Sequence, residues 1–107
     1  MVSKQYPRLG ETVFHEILEN GLHIYVDRRR DFQKSYAFFA TNYGGMDMRF
    51  FQDGRWKDTP AGVAHFLEHK MFDTEDGNAL QDLAANGASP NAFTSSAITG
   101  YFFESTE

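Results

Sequence analysis

Seventeen of the 107 residues are aromatic and eleven of those are phenylalanine, so whatever this chain folds into must cover a large apolar surface. At this length one domain is available to do it. Hydrophobic residues make up 41% and charged residues 23%, which is ordinary globular usage and sets aside disordered, collagen-like and coiled-coil classes. Val13–Leu18 and Leu22–Asp27 flank Asn20-Gly21, which predicts an antiparallel hairpin with a two-residue turn. Ser35–Tyr43, apolar on both faces and stopped by Gly44-Gly45, predicts a central strand covered on two sides. Residues 46–58 lack a period and read as a long loop, a feature that is often functional.

A helix is expected over 60–72, with Thr59 as its cap and Pro60 at its first position. A second runs from about Gly77 to Asn86, with Leu80, Leu83 and Ala84 on one face and Gly87 as its stop. Asn91–Ser95 and Ile98–Ser105 complete the set as strands. The order gives an α+β fold, a mainly antiparallel sheet with two helices packed on one face. Residues 1–10 read as an N-terminal arm. The chain stops in or just after a strand, which predicts an N-terminal piece of a larger domain.

A net charge of -5 argues against general binding of nucleic acid or of an anionic membrane. Arg28-Arg29-Arg30, flanked by Asp27 and Asp31, reads as a solvated turn. There is no cysteine, no apolar stretch of signal-peptide length at the start and no run long enough to span a bilayer. These features predict a soluble, cytoplasmic protein.

The chemistry is concentrated in Ala64-His65-Phe66-Leu67-Glu68-His69. On a helix, His65 and His69 are four residues apart and point the same way, so two imidazoles can hold one metal ion. Zinc suits nitrogen ligands, and a catalytic zinc takes three protein ligands and leaves one position open. Glu68 can reach a water at such an ion and take its proton without being a ligand. The plainer alternative is a pair of histidines on a polar helix face. Flanking Val63, Phe66 and Leu67 argue against it, because they predict a partly buried helix where unpartnered charge is costly.

H-x-x-E-H is the inverted zincin motif. The runs AGVAHFLEHKMF, ANGASPNAFTSS and TGYFFEST together resemble the inverzincin metallopeptidases: pitrilysin, insulysin, the β subunit of the mitochondrial processing peptidase and bacterial cytoplasmic relatives. The resemblance covers about Thr12 to Thr106. It implies a zinc metalloendopeptidase with one zinc per active site, His65 and His69 as ligands and Glu68 as general base. It also implies that Phe72 lines the pocket for the side chain before the cut bond. Asn91, Ala92, Phe93 and Thr94 would form an edge strand, within an edge hairpin over 91–105, to which an extended peptide adds. The implied partners are a peptide or unfolded polypeptide and either the rest of a two-half parent chain or a homologous partner subunit.

Two departures stand out. The short acidic segment 72–77 replaces a Gly-Thr pair and a longer stretch. The family's third ligand, a Glu on a later helix, has no counterpart in the 38 residues after His69. Asp73, Glu75, Asp76 and Glu104 occupy no recognised ligand position. The chain alone is therefore expected to be inactive or nearly so, and a non-catalytic peptidase-like binding or assembly module is the alternative.

Overall fold

The computed structural model describes residues 1–75 and 77–106. It divides into two compact units, Met1–Gln33 and the chain from Lys34 onward. All strand pairs in both are antiparallel.

In the first unit, β1 (Val2–Tyr6), β2 (Glu11–Ile17) and β3 (His23–Asp27) form a sheet in that order. The expected arm is thus a strand, held by the register Val2↔His15 to Tyr6↔Glu11. The hairpin at Asn20-Gly21 is present, but its turn is wider than expected. Leu18 and Leu22 still pair, through a Leu18 N–H to Leu22 carbonyl bond of 2.9 Å, and Gly21 N–H bonds the Leu18 carbonyl at 2.8 Å. Only Gly21 has positive φ (85°), and the Asn20 side-chain oxygen accepts the Leu22 N–H at 3.1 Å. That is a three-residue loop closed by a left-handed glycine. The arginine run is not simply solvated either. Arg29 donates to Asp27 at 3.1 Å and pairs with Glu11, and its guanidinium lies 5.6 Å from the Phe32 ring. The hydrogen bond to Asp27, then the charge of Glu11, raises the pKa of Arg29.

The second unit is organised by a sheet of order β4-β10-β9: β4 (Ser35–Thr41), β9 (Ala88–Thr94) and β10 (Thr99–Ser105). Within it β4, expected to be central, is an outer strand, and β10 is the central one. Both faces of β4 stay open, with Phe38 47% and Phe39 50% exposed. Its apolar run reflects two half-covered faces, a pattern that composition alone does not separate from full burial. Residues 46–58 are not a loop. They hold β5 (Arg49–Gln52) and β6 (Arg55–Asp58), joined at Asp53 (φ 54°) and Gly54 (φ 76°). Two successive positive φ values make the tight two-residue turn, and Phe51 and Trp56 pair across it at 5.6 Å.

The first helix, α1 (Val63–Lys70), starts three residues later than expected. Gly62, with φ 91°, is its N-cap and no side chain caps it. Thr59 instead ties back to Met48, its N–H bonding that carbonyl at 2.8 Å. Two short strands, β7 (Asp73–Thr74) and β8 (Gly77–Asn78), lead to α2 (Ala79–Ala85). Asn78 caps α2 by accepting the Leu80 N–H at 2.8 Å, and Gly87 (φ 81°) follows its end as expected. Both helices pack on the sheet at β9, and α1 also reaches β10. Alternation puts Ala92, Thr94, Thr99 and Tyr101 on the helix side and Asn91, Phe93, Gly100 and Phe102 on the other. No helix among the described residues is long and apolar enough to cross a membrane.

Gly44 shows how closely the end of β4 meets the β9–β10 connection. A Cβ there would come within 2.5 Å of the Ser96 backbone, whereas one on Gly45 would find nothing nearer than 3.7 Å. Gly44→Ala is expected to lower unfolding free energy by about 2 kcal/mol, within the usual range for overpacking. Gly45→Ala should change it little. Denaturant melts of the two variants check the contrast, and equal midpoints would rule out this close approach.

Candidate active site and metal-binding residues

The sheet-facing side of α1 is made of small and polar groups. Ala64 is 4% exposed, and one turn on Glu68 accepts a hydrogen bond from the Thr94 hydroxyl of β9. Four-residue spacing places both on the contact line and turns His65 and His69 outward. Their Nε2 atoms lie 3.1 Å apart, with ring centroids 4.9 Å apart. The flanking residues do not bury them as expected, since Phe66 is 64% and Leu67 44% exposed. Convergence of the two nitrogens, rather than burial, is what marks the pair.

His65 and Glu68 open onto a cleft of about 500 Å³ that Gly45, Thr94, Ser95 and Ser96 also line. One side of this cleft is braced by backbone hydrogen bonds. Gly45 N–H bonds the Ser95 carbonyl at 2.8 Å and Met46 N–H bonds that of Ser96 at 3.0 Å. Ser95 Oγ in turn donates to the Ile98 carbonyl at 2.9 Å, closing the turn between β9 and β10. Sequence reasoning missed Gly45, Ser95 and Ser96. The Gly44-Gly45 pair was the available signal, because glycine at a strand end permits close backbone approach as well as a stop.

The other expected positions separate by face. Thr94 reaches Glu68, and Ala92 shares its side of the sheet. Asn91 and Phe93 point to the opposite side, and Asn91 Oδ1 accepts the N–H of Ala92 at 2.8 Å. Phe72 meets Tyr101 edge-on at 5.7 Å and lines an apolar cavity of about 230 Å³ with Phe39, Leu83, Pro90 and Phe103. On its outer side β9 pairs with no other strand among the described residues, and Pro90, which lacks an N–H, suits such an edge.

Two imidazole nitrogens about 3 Å apart fit a zinc ion as a pair of donors. Among the described residues no group of three or more His, Asp or Glu side chains converges on them. Asp73 pairs with Lys70 at 3.1 Å and Glu104 with Lys34 at 3.4 Å, while Asp76 lies outside the described residues.

The model of the insulinase family, peptidase family M16, matches residues 50–107, just over half of the chain. The chain belongs to this family. A relative from Bacillus subtilis (strain 168), named "uncharacterized zinc protease YmfH", is 48% identical over 104 residues. The match covers 95% of this chain and 24% of the relative. A crystal structure described as a "putative M16-like peptidase" from Alicyclobacillus acidocaldarius superimposes with a TM-score of 0.86 at 39% identity. That match covers 99% of this chain and 24% of the other. The chain thus spans about a quarter of the length of these relatives, and the α+β fold is theirs.

Tyr101 lines the apolar cavity and lies within reach of the charge of Glu68. Burial, and after it the negative charge of Glu68, raises its pKa above the ordinary 10.0. The fold therefore favours the neutral phenol. The associated stability is intact below about pH 10 and is lost as pH rises through the higher folded value. Glu68→Gln should bring the Tyr101 titration part of the way down, because burial remains. Phenolate absorbance, with Tyr101→Phe as the blank, measures it; no movement would mean that Glu68 does not face Tyr101.

Proposed function

We propose that this M16-family chain carries the catalytic part of a zinc metalloendopeptidase of the H-x-x-E-H type, acting on peptides or unfolded polypeptide. The observation that carries the reading is the approach of His69 to within 3.1 Å of His65, which opens with Glu68 onto one cleft. His65 and His69, whose Nε2 atoms converge, would hold the ion. Zinc, when bound, supplies Lewis-acid polarisation and makes water acidic enough to lose a proton near neutral pH. Glu68 takes the proton of the attacking water and passes it to the leaving amine. The Thr94 hydroxyl fixes which oxygen of Glu68 is free to do so. The outer edge of β9 aligns an extended peptide by main-chain pairing, which needs little sequence preference. Two ligands on this chain leave a third to be supplied by the rest of a longer chain or by a homologous partner subunit.

In the longer protein, Glu68→Gln should keep its zinc and lose cleavage by roughly a hundred- to ten-thousand-fold, the usual worth of a general base. Metal content and cleavage of an unfolded substrate are the two readouts. A variant that still cleaves at the parent rate would remove Glu68 as the general base, and a parent protein that binds zinc without cleaving would leave the non-catalytic binding module as the better reading. Loss of zinc together with cleavage would make Glu68 a ligand. The 107-residue chain alone, with stoichiometric zinc, should show no sustained turnover.

A further inference from the structure

Two of the four histidines lie outside α1, and they too are paired. His15 is on β2 and His23 opens β3. The register Ile17↔His23 and His15↔Tyr25 makes them diagonal neighbours on one face of the hairpin. His15 Nε2 and His23 Nδ1 lie 3.0 Å apart, with ring centroids at 5.1 Å and planes 20° apart. Tyr25 stacks on His15 at 4.3 Å with the rings 3° from parallel, which holds the imidazole in place. We propose that His15 and His23 form a second metal site, a two-imidazole clip for a divalent cation of the zinc, nickel or copper class.

The spacing supports this directly. A tetrahedral ion with metal–nitrogen bonds of about 2.0–2.1 Å needs its two ligand nitrogens about 3.3 Å apart. Small ring rotations supply the difference from 3.0 Å, with no change in the backbone ladder. The same nitrogen spacing occurs in the α1 pair, reached there by helical rather than cross-strand geometry. Imidazole nitrogens select zinc, nickel and copper over magnesium and calcium, which prefer oxygen. His23 is exposed and His15 half-buried, so an ion can reach both and keep water in its remaining positions. The acidic groups on the same face, Glu11 and Asp27, are engaged by Arg29. The Lys4 ammonium lies 5.2 Å from the Tyr6 ring. Binding would join β2 to β3 beside the Leu18–Leu22 closure and so stabilise the hairpin by mass action. This site is independent of the proposed peptidase reading, because every residue in it belongs to the first unit.

The test is zinc titration by calorimetry into the 107-residue chain carrying His65→Gln and His69→Gln, which removes the α1 pair. One equivalent should bind, at least tenfold more weakly after either His15→Gln or His23→Gln. Amide exchange across residues 15–23 should slow on zinc addition only when both rings are present. The exchange pattern of each variant without zinc shows that the hairpin has formed. Absence of binding in the doubly substituted chain overturns the proposal. So does binding that is indifferent to either ring.

Discussion

Everything at the candidate site depends on how closely α1 can lie on the sheet. Ala64 makes that approach possible, since its single methyl lets the helix backbone come down where a larger side chain would prop it away. Glu68 occupies the same contact line one turn later and meets the Thr94 hydroxyl there. With positions 64 and 68 committed to the sheet, 65 and 69 are turned to the side of the helix, and His65 opens with Glu68 onto one cleft. The carboxylate is thus oriented by the strand while the imidazoles are oriented by the helix.

The sequence disclosed this helix face because its information is local, a spacing that any α-helix converts into geometry. The two terminal strands, the second helix and its Gly87 stop were legible for the same reason. Turn chemistry was less so. Asn20-Gly21 and Asp53-Gly54 carry the same kind of signal, yet only the second forms a two-residue turn. The difference lies in the flanking register: Leu18 and Leu22 pair with each other, leaving three residues to close the loop. Strand pairing decides such matters, locally here and between distant segments where it makes β10 rather than β4 central.

Burial was the weakest part of the sequence argument for a metal. Phe66 and Leu67 are apolar and yet exposed, so the histidines between them are not desolvated by their neighbours. Chelation does not require that they be. Two nitrogens held near the ligand spacing of one ion form a donor pair in solvent as well, with affinity then set by how many further ligands join. The composition carried the other half of this message. The aromatic excess is only partly covered, and Tyr36, Phe38, Phe93 and Phe102 gather at centroid distances of 6.0–6.5 Å on the side of the sheet away from the helices.

That aromatic cluster and the catalytic candidates are coupled through the pleat of β9. Phe93 faces the rings and Thr94 faces Glu68, so the two requirements are met by adjacent residues of one strand. Gly100 on β10 completes the arrangement. A Cβ there would come within 2.6 Å of the Phe93 ring and 2.8 Å of the Phe38 ring, so the rings close over bare backbone. The register Gly100↔Phe93 is therefore fixed by packing on one face. A slip of one residue would turn Phe93 toward α1 and Thr94 away from it, leaving Glu68 without its partner. Packing on the far face of the sheet thus sets the position of the group that would do the chemistry on the near one.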